Sequence, residues 1–379
     1  MRVLLISHRF HPVQGGSEQW ALLLARALQR RGETPLVLTQ AEPGLPAEED
    51  LGGIAIRRIP IVRAGRFRIP RGYPAILRRL DYDLLHLSGN RVWCADYLFP
   101  WARRIPGPKV ITPHGFYQLA MAPGPLNRLY FTRYLPRVLS AFDGYLAMTA
   151  AEARQIVGFG YPGEKTHVVG TGIEWDEFER PPAARREWVR DGVRTPFVAL
   201  SAGGTWENKR LDRVIASLAP LRDQVTLLIA GRDVPHSRLA RPVLDRIARD
   251  HGVTVRFLGE IPREALLAAY READVYLQGS SYEGFGLALL EAMASGLPFV
   301  AFPAGAAPEL AAAGGGTVAE SVPAFTAAVR AALARRSEDP EGERERTRAA
   351  AAPWRWDRLI DRYREAYRAA GAGRGGPNG

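Results

Sequence analysis

Short apolar runs alternate with stretches whose apolar residues recur every three or four positions, and this alternation continues along most of the chain. Val3–Ser7 reads as a first buried strand. After Gly15-Gly16, residues Trp20, Leu23, Leu24, Ala27 and Leu28 fall on one face of a helix that Ser17 can cap and Gly32 can end. Pro35–Thr39, Leu84–Leu87, Val110–Thr112 and Tyr145–Met148 read as further strands. The same pattern restarts near Pro196. Phe197–Ser201 is a strand, Gly203-Gly204 a turn, and Leu211 to Leu218 a helix; strands follow at Val225–Ala230, Val253–Leu258, Val275–Leu277 and Phe299–Phe302. Strands alternating with helices predict a parallel, doubly wound sheet in each half.

The expected organisation is therefore α/β, with two Rossmann-like domains facing a cleft. Residues 1–178 form the first and 196–353 the second. The linker at 179–195 is rich in Pro, Arg and Ala. Trp354, Trp356, Leu359, Ile360, Tyr363 and Tyr367 give the segment 354–370 an apolar helical face that needs a partner surface. The glycine-rich tail 371–379 is expected to be disordered.

Composition narrows the class. The chain has 379 residues, long enough for two cores, and its 46% hydrophobic and 24% charged content is that of a soluble globular protein. The single cysteine, Cys94, excludes a disulfide framework and a cysteine-built zinc site, and fits a reducing cytoplasm. No apolar run approaches the roughly 18 residues of a membrane span, and the N-terminus reads as a strand rather than a signal peptide.

The formal net charge is +11, yet lysine occurs only at 109, 165 and 209 among 51 basic residues. With abundant Ala, Gly and Pro, that bias fits a GC-rich genome, so the charge is weak support for a nucleic-acid partner. Eight arginines and no acid lie between Arg57 and Arg79, interleaved with Ile, Phe, Pro and Tyr. That stretch suits either an anionic membrane surface or a solvated basic loop.

The chemistry concentrates at expected strand ends, where open α/β sheets bind ligands. The run Glu283-Gly284-Phe285-Gly286-Leu287 opens a helix that carries Glu291 and stops at Gly296. Amides presented at such a helix start suit a diphosphate. Glu283 and Glu291 are eight residues apart, about 12 Å along a helix, too far to share one reacting atom but right for the two ends of a nucleotide-sugar. Gly203-Gly204-Thr205-Trp206-Glu207-Asn208-Lys209 places one of the rare lysines at a helix start, a compact charge for phosphate. Gly15-Gly16 lets a ligand approach the backbone, and His114 follows a strand in Thr112-Pro113-His114-Gly115.

These segments, in this order, resemble the family 4 retaining glycosyltransferases of the GT-B fold. The strongest part runs from Phe257-Leu258-Gly259-Glu260 through Glu283 and Glu291 to Gly296-Leu297-Pro298 and Pro308-Glu309. Gly15-Gly16, His114-Gly115 and Gly172-Ile173-Glu174 to Phe178 match more loosely. The resemblance implies transfer of a sugar from a UDP- or GDP-sugar to a hydroxyl, on a lipid-linked or envelope glycan, with no cofactor or metal beyond the donor. It implies that the C-terminal helix returns to the first domain. Glu291 would hold the ribose. Glu283, with the amides of Gly284, Phe285 and Gly286, would hold the donor sugar. Lys209 and Gly16 would meet the diphosphate, and His114 would lie at the reacting face.

Three positions depart from the family: Gly204 where an arginine is usual, Thr171 for asparagine, and Gly279 for proline. A diphosphate cation is thus missing or supplied elsewhere, with Arg210 and Arg9 as the candidates. Two other readings stand beside this one: a GT-B nucleotide-sugar epimerase, and a non-enzymatic nucleotide or nucleic-acid binder.

Overall fold

The protein is described here by a computed structural model. It describes the chain except residues 14, 65–66, 90–92, 116–123, 126–128, 180–186 and 373–379, and the side chains of 63, 64, 67, 68, 93, 96, 131 and 187. Residues 373–379 of the expected tail, 180–186 of the linker, and Arg66 and Arg128 therefore lie outside the described residues, while Gly371 and Ala372, expected in the tail, close the last helix.

Two compact units form. The first comprises Met1–Gly172 and Trp356–Gly379, the second Ile173–Arg355. In the first unit the strands are β1 Arg2–Ile6, β2 Thr34–Gln40, β3 Glu48–Asp50, β4 Ala55–Ile59, β5 Ile61–Ala64, β6 Phe67–Pro70, β7 Leu84–Ser88, β8 Lys109–Thr112, β9 Gly144–Ala147 and β10 Thr166–Val168. Eight of them make one sheet in the order β10-β9-β8-β7-β1-β2-β4-β3; β5 and β6 form a separate hairpin. Only β3 runs antiparallel in the large sheet. The inner strands are apolar because helices cover both faces: Val3, Leu4, Leu5 and Ile6 are fully buried.

The second unit holds β11 Phe197–Ala202, β12 Val225–Ala230, β13 Val255–Gly259, β14 Val275–Gln278, β15 Phe299–Ala301 and β16 Gly316–Val318. Their order is β13-β12-β11-β14-β15-β16, all parallel. Numbered within the unit this is 3-2-1-4-5-6, the dinucleotide-fold order, whose topological switch point lies between its first and fourth strands. In the first unit the equivalent point lies between β1 and β7.

The C-terminal helix, Trp356–Ala372, packs on the first unit. It buries Trp356, Leu359, Ile360, Tyr363, Ala366, Tyr367 and Ala370, a helical stripe of period near 3.6. Trp20 Nε1 donates to the Tyr363 hydroxyl at 3.1 Å, and that hydroxyl donates to Gly170 O at 2.6 Å. Arg364 pairs with Glu33 at 2.9 Å.

Several local expectations are corrected. Ser17 does not cap the first helix: Gly16–Arg30 is capped by Gly15 without a side-chain bond, and the Ser17 hydroxyl turns to Glu18 at 2.9 Å. The C-terminal helix starts at Trp356, because Ala352–Trp354 forms a 3-10 turn containing Pro353. The strand expected from Val253 begins at Val255. Strands β3 to β6, β10 and β16 escaped the pattern because they are short, polar or at an edge. The arginine-rich stretch is not one exposed basic surface. Arg58 is 4% exposed, donating to Pro46 O and His11 O and pairing with Glu49, while Arg57 pairs with Glu48.

Candidate active site

Two loops at the switch point of the second unit carry most of the expected site. One follows β11 and spans Gly203 to Arg210; the other follows β14 and spans Gly279 to Gly286. Hydrogen bonds join them: Ser281 N donates to Asn208 O at 2.8 Å, and Asn208 Nδ2 to Tyr282 O at 3.2 Å. Arg213 donates to Gly279 O and, at 2.7 Å, to Ser280 O, and its guanidinium lies 3.7 Å over the Phe302 ring. Burial, then the neighbouring Arg210 charge, lower the Arg213 pKa to about 10.

The two loops bring Lys209 and Glu283 together. The Lys209 ammonium donates to Glu283 Oε1 at 2.7 Å, and Ser280 Oγ donates to the same oxygen at 2.6 Å. Both side chains are mostly buried, with 21% and 13% exposure. Ser280 had no signal in the sequence beyond its place near the glutamate. Of the other two lysines, Lys109 is buried and donates to Ile105 O and Gly107 O, and Lys165 is exposed. The rarity of lysine thus marks one structural residue, one surface residue and one site residue.

Close packing explains the glycines. A Cβ on Gly203 would lie 3.0 Å from Lys209 Nζ, so its absence opens the path the ammonium takes. Gly204 has φ +75°, and a Cβ there would meet Arg232 O at 2.3 Å. No other residue fits that backbone, which accounts for the departure from the family arginine. Gly279 is likewise excluded from carrying a side chain, by Arg210 O at 2.4 Å and Lys209 O at 2.8 Å.

The helix Leu287–Ala294 follows the second loop, with Gly286 as its N-cap at φ +102°. Among the described residues, no protein acceptor takes the amides of Gly284, Phe285 or Gly286. Phe285 is 6% exposed, and its carbonyl accepts from Ala306 N at 2.7 Å, so the loop is held from behind. Glu291 sits about one turn along the helix. Its Oε1 pairs with Arg263 at 2.8 Å and its Oε2 accepts from the Tyr270 hydroxyl at 3.2 Å. Burial raises the Glu291 carboxyl above its ordinary range, and Arg263 partly offsets this. Arg263 also forks onto Glu177 with two 2.8 Å bonds. Neither Arg263 nor Glu177 was legible beforehand, since the three residues lie far apart in sequence.

The remaining candidates belong to the first unit. His114 follows β8 with φ +59°, a conformation uncommon for a residue with a side chain. Its Nε2 and Ser88 Oγ share a 2.8 Å hydrogen bond, and Trp20 packs edge-on at 4.5 Å. Burial lowers the imidazole to about 4, so it is neutral at pH 7. Behind it, His86 bonds the Tyr367 hydroxyl at 2.7 Å and Thr112 Oγ1 at 2.8 Å. Glu152 accepts from Gly115 N and Met148 N, fixing the turn, and burial raises it to about 7. A Cβ on Gly16 would meet nothing within 4 Å, leaving that backbone open, whereas one on Gly15 would strike Glu18. The proposed replacement cations are both engaged: Arg9 with Glu42 at 2.6 Å and Arg210 with Asp212 at 2.8 Å. Among the described residues no cluster of three His, Cys, Asp or Glu side chains could hold a metal ion.

Comparison with known proteins identifies the family and the fold. Residues 14–177 match the family described as Glycosyltransferase Family 4, and 196–335 match Glycosyl transferases group 1. The D-inositol 3-phosphate glycosyltransferase of Geodermatophilus obscurus is 30% identical over 94% of this chain and 85% of its own length. The chain is a family 4 glycosyltransferase. A second relative of this glycosyltransferase is the GDP-mannose:cellobiosyl-diphosphopolyprenol alpha-mannosyltransferase of Xanthomonas campestris, 26% identical over 98% of this chain and 97% of its own. Sucrose-phosphate synthase from Thermosynechococcus elongatus superposes with a TM-score of 0.76 at 20% identity, covering 98% of this chain and 99% of that one. That likeness shows the GT-B fold.

Proposed function

We propose that this glycosyltransferase moves a sugar from a UDP- or GDP-sugar to a hydroxyl of a lipid-linked or envelope glycan, with retention at the anomeric carbon and without a metal. The observation that carries the reading is the Lys209–Glu283 pair beside the unbonded amides of Gly284 to Gly286 at the switch point of the second sheet.

In this reading the amides and the Lys209 ammonium hold the diphosphate and stabilise the charge it gains on leaving. Glu283 Oε1 is taken by Lys209 and Ser280, so its other oxygen accepts from a donor-sugar hydroxyl. Glu291 keeps acceptor capacity beyond Arg263 and Tyr270 for the ribose hydroxyls. His114, neutral, hydrogen-bonds the donor sugar rather than acting as a cation. The acceptor oxygen bonds to the anomeric carbon as the bond to the phosphate oxygen breaks, and the acceptor's proton passes to the departing phosphate. A retaining glycosidase instead needs two carboxyls about 5–5.5 Å apart at one anomeric carbon; here Glu283 is tied to Lys209 and Ser280 in the loop, and Glu291 to Arg263 and Tyr270 in the helix.

The acceptor reading extends to a cytoplasmic enzyme peripheral to an anionic membrane. The β5–β6 hairpin supports it: Val62 and Ile69 face each other across the strands and are both exposed, with Arg71 just beyond. No described helix is long and apolar enough to cross a membrane.

The test is turnover of a UDP- and GDP-sugar panel with a polyprenyl-diphosphate-linked sugar, with the product linkage assigned by NMR. An axial donor should give an axial product and free nucleoside diphosphate. Inversion would overturn the mechanism. Conversion of donor to another sugar nucleotide without acceptor would identify an epimerase instead.

A further inference from the structure

A diphosphate carries more negative charge than Lys209 can balance, because the ammonium is already shared with Glu283. The other cations on the loops at this end of the sheet are mostly committed. Arg210 makes three hydrogen bonds to Asp212, the nearest at 2.8 Å. Arg213 is spent on Gly279 O and Ser280 O, and Arg263 on Glu177 and Glu291.

Arg232 is different. It follows β12, and its backbone is fused to the glycine turn: Thr205 N donates to Arg232 O at 3.1 Å, while Gly203 N and Gly204 N both donate to Ala230 O, at 3.0 and 3.1 Å. A Cβ on Gly204 would lie 3.0 Å from Arg232 N, and one on Gly203 would lie 3.0 Å from Lys209 Nζ. The Lys209 ammonium and the Arg232 backbone thus pack against adjacent residues of one glycine pair. The Arg232 side chain is 67% exposed, and its nearest acid, Glu260, stands at 3.7 Å and is itself 73% exposed. Such a pair holds the guanidinium weakly. A planar fork of donors suits phosphate oxygens better than this single long contact.

We propose that Arg232 is the second cation of the donor site: it leaves Glu260 to grip the diphosphate that Lys209 also binds, and replaces the cation that the Gly204 backbone excludes. This rests on the donor reading given above. Arg238, farther along the same loop, 86% exposed and 3.7 Å from Glu207, provides the control.

The experiment is calorimetric titration of the full-length protein and its Arg232→Ala, Arg232→Lys and Arg238→Ala variants with UDP, GDP and the free nucleosides. Thermal unfolding without ligand verifies that each variant folds. Arg232→Ala should weaken nucleoside diphosphate binding about tenfold or more, Arg232→Lys should recover part of it, and Arg238→Ala should bind as the parent does. Unchanged diphosphate affinity in Arg232→Ala, with the parent binding normally, would overturn the Arg232 assignment alone. Equal losses for nucleoside and diphosphate would also overturn it, because the effect would not reside at the phosphates. A parent that binds no diphosphate would overturn the donor reading and this assignment together.

Discussion

The two units share a parallel core, β4-β2-β1-β7-β8-β9 in the first matching β13-β12-β11-β14-β15-β16 in the second, and differ in what they place at the switch point. In the second unit the loops after β11 and β14 end in charge: Lys209 against Glu283, Arg263 against Glu291, and amides left unbonded. In the first, the loops after β7 and β8 end in a neutral imidazole framed by Ser88 and Trp20, with His86 and Tyr367 bonded behind. One scaffold thus gathers paired charges at the switch point in one copy and, among the described residues, a buried neutral imidazole with hydrogen-bonded neighbours in the other. Topology sets where a site lies; the residues at strand ends set what it does.

The sharpest way to break this contrast is Lys209→Ala. Loss of a charge aimed at the departing phosphate should lower kcat by about 10²–10³ with the circular dichroism unchanged. Near-normal turnover would make the second unit's charge incidental. Gly204→Arg, which installs the family residue, comes next. It should not help: the left-handed backbone and the contact with Arg232 O should cost about 2–4 kcal/mol in denaturant unfolding. A stable variant with tighter donor binding would show that the turn is not fixed by packing.

The first unit is probed by pH. Burial depresses His114 to about 4 from the 6.5 of an exposed imidazole. A group depressed on folding stabilises fully above its unfolded value and loses that contribution as pH falls through its folded value. Relative to His114→Gln, the parent should therefore lose about 3 kcal/mol as pH falls from 6.5 to 4. Glu152, raised to about 7, acts with opposite sign but is present in both proteins and cancels in the difference. A flat difference would mean that His114 is solvated. The smallest effect is expected for Tyr363→Phe. It removes the hydroxyl between Trp20 and Gly170 O and should cost about 1–2 kcal/mol, read from thermal unfolding at pH 7.

The same contrast governs what could be read beforehand. The second unit's site is written in two contiguous runs, Gly203 to Lys209 and Glu283 to Glu291, because each loop follows its own strand and glycine marks each close approach. The first unit's site is scattered over Trp20, Ser88, His114 and Tyr363, which only the sheet order and the returning helix bring together. Strand positions were legible where strands are buried on both faces, as in β1 and β12. They were not where edge strands are polar, as Glu48–Asp50 is. The basic stretch misled for a related reason: Arg58 looks exposed in sequence, yet carbonyls and Glu49 satisfy it inside. Glu177, Arg263 and Tyr270 around Glu291 left no trace, since long-range ion pairs have no sequence period.

Calorimetry with a panel of UDP- and GDP-sugars at up to millimolar concentration, on the parent and on Lys209→Ala, goes straight to the assignment of the second unit as holder of the activated sugar. Saturable heat from at least one donor, sharply weakened in the variant, is the predicted result; no heat from any donor, or equal affinity in both proteins, would contradict it.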